Sequence, residues 1–158
     1  DMAKKAYHDR TDLQKLASQW VKISGLVERE EWSAAIVRAG TASELAANFA
    51  IRNEFAKFKL APSVVNSLML WANGLNGKMN NLIRPLWELD PAKEAKFKPA
   101  LKLAAEINKK RNAVAHQGEF CNKGEVNEII PKAEKFIEMV VNIYQPRFIL
   151  KDQLSVEN

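Results

Sequence analysis

Residues 99–118 read PALKLAAEINKKRNAVAHQG. Apolar side chains recur in this stretch at the spacing of one helix face, at Ala100, Leu101, Leu103, Ala104, Ile107 and Val114. Proline suits the first turn of a helix, and glycine is favoured just beyond the last turn. The stretch therefore predicts a single helix that begins near Pro99 and ends at Gly118.

The end of this helix carries the most reactive side chains. Successive residues of a helix are separated by about 100° around its axis. His116 then shares a stripe with Asn112, Lys98, Lys102 and Lys109, whereas Arg111 lies on the apolar side. A guanidinium is always charged, so one on an apolar face must be paired with an anion or must face a partner surface. We expect one of these two surroundings for Arg111.

Composition predicts an all-α protein. The chain has 158 residues, 47% of them apolar, with four Trp and seven Phe, which suffices for one core. Its six Gly and six Pro cluster at expected helix ends. We expect one domain over residues 1–158, an up-and-down bundle of four to five main helices, with residues 1–10 and 146–158 at its periphery.

Caps, prolines and apolar stripes place the other helices at about residues 11–27, 30–58, 62–79, 91–97 and 124–144. Gly40-Thr41 predicts either a kink or the close approach of a neighbouring helix. The run NGLNG at 73–77 is poor in helix formers and predicts a bend, a close crossing or a mobile segment. Pro131 predicts a kink or the true start of the last helix. We expect the tail to be held through residues 148–150.

Glu44 lies one turn after Gly40, in the small-residue run ASELAA at 42–47. One interpretation is a solvated or capping glutamate. The other is a partner for Arg111 across the bundle, since a carboxylate would balance a guanidinium on an apolar face. The residues alone leave both interpretations open.

A family resemblance appears at these same residues. Arginine, a polar residue, three further residues and then histidine, here Arg111, Asn112 and His116, resemble the hallmark of the HEPN superfamily of helical nucleotide- and RNA-binding domains. An earlier helix with a glutamate among small residues, here Glu44, is also similar, as is a Gly-containing turn before a final amphipathic helix. The resemblance covers about residues 30–145 and implies a HEPN-like bundle.

The resemblance implies a reaction. Catalytic HEPN domains are metal-independent endoribonucleases, usually dimers whose motifs meet in a composite cleft. His116 would move protons at the RNA 2′-hydroxyl or the leaving oxygen, and Arg111 would stabilise charge on the scissile phosphate. Asn112 would orient the imidazole or contact the RNA backbone. The resemblance implies no cofactor and suggests a toxin or phage-defence effector, for which a nucleotidyltransferase-type antitoxin is the expected partner.

A local excess of positive charge leads to His116. Residues 98–111 hold five basic residues and one acidic residue, and phosphate is the natural ligand of such a patch. Lys102, Lys109 and Lys110 are therefore candidates to hold RNA without reading its sequence. The alternative is that these lysines are simply solvated. No aromatic residues are interleaved with them for base stacking.

The remaining composition limits other classes. A net charge of +5 permits an anionic partner without requiring one. Two His and one Cys supply few soft ligands, so we expect no metal site, and a lone cysteine suits a cytoplasmic protein. No apolar run approaches the length of a membrane span, so we expect no membrane partner. Because Asp1 precedes Met2, we expect residue 1 to be a tag remnant or a cut within a longer chain.

Two functions of different class remain. The first is a HEPN-type endoribonuclease that acts on RNA as a homodimer. The second is a non-catalytic HEPN-like module that binds nucleotide or protein and uses Arg111 and His116 structurally. An unrelated helical bundle is the third interpretation.

Overall fold

The computed structural model describes residues 6–118 and 120–155, without the side chains of 154 and 155, and every element in them is helical. The helices are α1 (Asp12–Glu28), α2 (Trp32–Ala56), α3 (Pro62–Trp71), α4 (Gly74–Lys78), α5 (Arg84–Trp87), α6 (Pro91–Gln117) and α7 (Lys123–Asn142). A π-helical turn covers Met79–Ile83, and 3-10 turns cover Tyr7–Asp9 and Leu150–Ser155. The all-α prediction is confirmed.

The first two helices form an antiparallel pair. Thr11 caps α1, because its hydroxyl accepts from the backbone of Gln14 at 3.2 Å while the Gln14 side chain returns a contact to the Thr11 backbone at 3.0 Å. Early residues of α1 contact late residues of α2: the Asp12 carboxylate lies 3.4 Å from Arg52. Glu30, with a φ of 59°, turns the chain between the two helices.

Contacts along α2 fix the direction of α6. Near its start, Gly40 of α2 lies against Arg111, late in α6. Near its end, Glu54 pairs with Lys93, early in α6. The two helices are therefore antiparallel.

Helix α7 runs parallel to α2, on the evidence of contacts at its two ends. The backbone N–H of Cys121, before α7, donates to the Ser33 hydroxyl at 3.2 Å, and the Tyr144 ring, after α7, packs edge-on against Phe49. The four long helices, α1, α2, α6 and α7, therefore alternate in direction along the chain.

Helix α2 lies at the centre, since it contacts α1, α6 and α7. Its buried face is mostly alanine, with no exposed surface at Ala35, Ala39, Ala42, Ala46, Ala47 and Ala50. Small side chains let the neighbouring helices approach closely. The surrounding helices contribute larger core residues, among them Leu16, Trp87, Ile107 and Phe136, and α2 itself adds Ile36 and Ile51.

A polar cluster closes the core at the end of α2. The buried carboxylate of Glu54 accepts from Lys93 and, at 3.3 Å, from Lys57. Beside it, Trp87 Nε1 donates to the Tyr144 hydroxyl at 2.9 Å. Burial raises the pKa of Tyr144 well above its ordinary range. Each polar group here has a partner, as a buried polar group requires.

The main correction to the predicted elements concerns α6. It begins at Pro91 and passes through Pro99, so the predicted short helix 91–97 and the predicted helix 99–118, called the motif helix below, are one element. Asp90 caps it by accepting from the backbone of Ala92 at 2.9 Å. Phe97 and Ala100 are buried on either side of Pro99, so their packing holds the helix together where proline removes one hydrogen bond.

The last predicted helix is confirmed, whereas the predicted helix 62–79 is not continuous. Helix α7 starts at Lys123 behind an Asn122 cap and continues past Pro131, which is therefore not its start. The predicted helix 62–79 is broken, since α3 ends at Trp71 and α4 begins at Gly74 with a φ of 79°. That conformation is accessible to glycine and strained for other residues.

Two residues of the chain after α7 belong to the core. Phe148 and Leu150 are buried, whereas Ile149 is exposed. The 3-10 turn that begins at Leu150 contacts α1 and α7. Among the described residues, no helix combines the length and the apolar character needed to cross a bilayer.

Candidate functional site

A cavity of about 400 Å³ opens between α2, α4 and the second half of α6. Its walls are formed by Glu44, Asn73, Gly74, Asn76, Gly77, Asn108, Arg111, Asn112 and His116. Four of the residues singled out in the sequence therefore meet here: Arg111, Asn112, His116 and Glu44. The volume lies within the range of small-molecule sites in proteins.

Helix α6 supplies one wall through its periodicity. Asn108, Asn112 and His116 follow one another at four-residue intervals and so share a face. Arg111 lies one turn after Asn108 and reaches the same cavity, although the helical wheel separates it from His116. The helix ends directly behind His116, because Gly118 adopts a left-handed conformation with a φ of 65°.

Gly40 sets the position of Arg111. A Cβ atom at residue 40 would lie 2.6 Å from Cγ of Arg111 and 3.0 Å from its Cβ. The stem of the arginine therefore occupies the space that any larger residue would need. The predicted close approach of a neighbouring helix at Gly40-Thr41 is confirmed, and the neighbour is the motif helix.

Neither interpretation of Glu44 describes its actual contact. The Glu44 carboxylate accepts from Lys78 Nζ at 2.6 Å, with only 7% of the Lys78 side chain exposed. No ion pair between Glu44 and Arg111 is present among the described residues, so the structure does not show the predicted pair. Lysine is rarely buried without such a partner, and nothing in the sequence marked Lys78 as facing inward.

Arg111 is consequently left without an anion in the described part of the chain. Its Nε is buried and has no hydrogen-bond partner among the residues that the structure describes, and no described carboxylate forms an ion pair with it. The Lys78–Glu44 pair is neutral overall, so the charge of Arg111 is not balanced at the cavity wall. Such a site favours an anionic ligand.

The three candidate lysines do not line the cavity. Lys102 and Lys109 are exposed on the outer surface of α6. Lys110 faces α7, where its Nζ lies 2.9 Å from the Glu125 carboxylate. Two of the three lysines predicted to hold RNA therefore face solvent, and the third lies at the α6–α7 interface.

Sequence reasoning missed the opposite wall, residues 73–77, and also Asn108. The described lining includes amides from Asn73, Asn76, Asn108 and Asn112. Each amide offers both donors and an acceptor. The signal available was the density of Asn and Gly at 73–77, which predicts a bend, a close crossing or a mobile segment. The structure has a break between α3 and α4 here, and the same residues form the wall.

The single cysteine follows the end of α6 in the chain, where its backbone N–H donates to Ser33 of α2. Burial raises the pKa of the Cys121 thiol, and its hydrogen bond to the Glu125 carboxylate raises that pKa further. The same contacts, led by the one with Lys110, lower the pKa of Glu125. The raised pKa of the thiol reduces the fraction of thiolate and opposes a nucleophilic role for Cys121. Among the described residues, no cluster of three or more His, Cys, Asp or Glu could hold a metal ion.

No family model, curated protein or solved structure matches this chain.

Proposed function

We propose that this protein is a metal-independent endoribonuclease of HEPN type that acts as a homodimer. The observation that carries the proposal is the cavity shared by Arg111, Asn112 and His116. In that cavity a proton-transfer group stands beside a cation without a described anionic partner. These are the two functions that cleavage of a phosphodiester requires.

The chemistry would follow from the 2′-hydroxyl of RNA. His116 accepts the 2′ proton as the 2′ oxygen bonds to phosphorus, and the bond from phosphorus to the 5′ oxygen breaks. The leaving 5′ oxygen takes up a proton, and the product strand ends in a 2′,3′-cyclic phosphate. Arg111 stabilises the charge that develops on the phosphoryl oxygens. Asn112, one turn before His116, would orient the imidazole or contact the RNA backbone.

A second copy would supply the missing acid. Each chain has one histidine at the cavity, whereas the reaction needs a base and an acid. His116 is exposed at the end of α6, so it is open to an approaching molecule. A dimer that joins two cavities would place one His116 on each side of the scissile bond.

The decisive experiment is RNA cleavage in EDTA by wild type, Arg111→Ala and His116→Ala. We expect the wild type to leave cyclic phosphate ends, and each variant to lose at least about 100-fold in rate. Lys22→Ala is the matched control, since this lysine is exposed on α1 and does not line the cavity. A folded, dimeric wild type that cleaves no RNA would refute the proposal.

The cavity itself favours a second candidate, a non-catalytic HEPN-like module that binds a nucleotide. A volume of about 400 Å³ with amides around one arginine suits a single nucleotide as well as a strand. Calorimetry with mononucleotides separates the two functions. Micromolar binding that Arg111→Ala abolishes, without any cleavage of RNA, would favour the module.

The toxin hypothesis is tested in cells. If the chain is a toxic ribonuclease, its expression should arrest growth, and His116→Ala should remove the arrest. Co-expression of a nucleotidyltransferase-type antitoxin should restore growth to cells that express the wild-type protein. Growth that is unaffected by abundant wild-type protein would argue against a toxin.

A further inference from the structure

The end of α3 presents an exposed aromatic side chain next to the cavity wall. Trp71 is 72% exposed. All four tryptophans lie in the described residues, and Trp20 and Trp87 are buried while Trp32 is half-buried. Trp71 is therefore the one tryptophan whose ring faces solvent.

Its position is fixed on both sides. Trp71 closes α3, and the next residue, Ala72, is 1% exposed and anchors the backbone in the core. Asn73, two residues beyond Trp71, lines the cavity that contains Arg111 and His116. Consecutive Cα atoms are about 3.8 Å apart, so the backbones of Trp71 and Asn73 are separated by at most about 7.6 Å.

We infer that Trp71 is a stacking platform for a nucleobase of single-stranded RNA, next to the nucleotide that occupies the cavity; this inference rests on the proposed function. Every base has a π face, so stacking on an indole is tolerant of sequence. Helix α3 carries no charged residue, and the base plane is the uncharged part of a nucleotide. The strand would place a phosphate at Arg111 and a neighbouring base on Trp71.

This assignment supplies an aromatic residue for base stacking, which the candidate RNA-binding part of α6 lacks. The three candidate lysines, Lys102, Lys109 and Lys110, have no aromatic residues among them, and they lie outside the cavity. The stacking residue comes instead from the opposite wall, before residues 73–77. A base-paired strand has its bases stacked internally, so the platform selects single strands.

The adjacent leucine provides a matched control. Leu70 is 80% exposed and also belongs to α3. An apolar surface for a protein partner would use both side chains, whereas base stacking needs the aromatic ring alone. Trp71→Phe keeps an aromatic face, and Trp71→Ala removes it. Because both side chains are exposed, neither change is expected to disturb folding.

The test is fluorescence titration with a 2′-O-methyl oligoadenylate, whose blocked 2′ oxygen prevents cleavage. We expect quenching of the Trp71 emission in the wild type. By an assay independent of tryptophan, anisotropy of a labelled strand, Trp71→Ala should weaken binding about 5- to 150-fold. Leu70→Ala should leave binding unchanged, Trp71→Phe should lose less than Trp71→Ala, and annealing the complementary strand should abolish the quenching.

Three outcomes would overturn the inference. They are an absence of quenching by any single strand, equal losses in Leu70→Ala and Trp71→Ala, and a change of oligomeric state in either variant, which would assign the surface to protein association. Steady-state cleavage separates this inference from the proposed function. If wild type cleaves RNA and Trp71→Ala has an unchanged KM, only the stacking assignment fails. If wild type is inactive but a strand still quenches Trp71, only the ribonuclease assignment fails.

Discussion

Replacing Gly40 of α2 by alanine should displace Arg111, the candidate catalytic arginine, which belongs to the neighbouring helix α6. The new Cβ would lie 2.6 Å from Cγ and 3.0 Å from Cβ of Arg111. These atoms are the root of the side chain, so rotation of the distal torsions cannot remove the clash. Either α2 and α6 move apart, or Arg111 changes rotamer and its guanidinium leaves the cavity wall.

Two opposing effects set the size of the change. Alanine is favoured over glycine within a helix by about 0.5–1 kcal/mol. Overpacking of a close helix contact costs about 1–3 kcal/mol. We therefore expect a net loss of roughly 1 kcal/mol in the free energy of unfolding. A displacement of about 1 Å at the reacting groups lowers catalytic rates by about 100-fold, so activity should fall far more than stability.

The assay pairs urea denaturation with RNA cleavage. Gly25→Ala is the matched control, because a Cβ there meets only the flexible end of Arg29 at 3.4 Å; it should stabilise the protein by about 0.5–1 kcal/mol and leave cleavage unchanged. In an Arg111→Ala background, where Cγ is absent, Gly40→Ala should lose most of its penalty. The resulting coupling free energy should be about 1–3 kcal/mol.

Additivity would refute this reasoning. If Gly40→Ala destabilises the protein equally with arginine or alanine at position 111, the clash is not with the arginine stem. An unchanged cleavage rate in a folded Gly40→Ala variant would show that the position of Arg111 does not limit the reaction.

Three further predictions concern buried charge and protonation. Lys78→Met should destabilise the fold by about 2–3 kcal/mol in urea denaturation, because it leaves the mostly buried Glu44 charge unpaired, and adding Glu44→Gln should restore part of the loss; a neutral Lys78→Met would contradict the pairing. Since burial and Glu125 raise the pKa of Cys121, alkylation by iodoacetamide should be slow at neutral pH, and Glu125→Gln should speed it; equal rates would show that Glu125 does not control the thiol. Burial raises the pKa of Tyr144, so its contribution to stability is complete below about pH 10 and is lost as pH rises through the folded-state pKa; urea titrations should show unfolding free energy falling more steeply above pH 10 in wild type than in Tyr144→Phe, and parallel curves would contradict this.

Local signals predicted the end of the motif helix but not its start. Gly118 closes α6 because only its own backbone conformation was needed to stop the helix. Pro99 was interpreted as a start, although the burial of Phe97 and Ala100 keeps the helix continuous across it. Burial is a tertiary effect that outweighs one lost backbone hydrogen bond, so helix start and stop residues alone could not reveal that the helix continues.

The candidate site was predictable to the same extent. Local helix geometry places Asn112 and His116 on one face, whereas it separates Arg111 from His116, so the cavity that all three share was not predictable from the helix alone. The partner of Glu44 was not predictable, because it depends on which of many lysines the fold turns inward. Lys78 does so at the end of α4, next to a π-helical turn that no residue pattern announced.

The packing of Leu150 near α1 has a consequence for how the chain folds while it is being synthesised. Leu150 is fully buried, and the turn that it begins contacts both α1 and α7. Synthesis proceeds from the amino terminus at about 5–20 residues per second, so α1 leaves the ribosome well before the residue that covers it. The apolar surface of α1 that this turn covers therefore stays exposed until residue 150 has been synthesised. Chaperones that bind nascent chains would find their target in this interval.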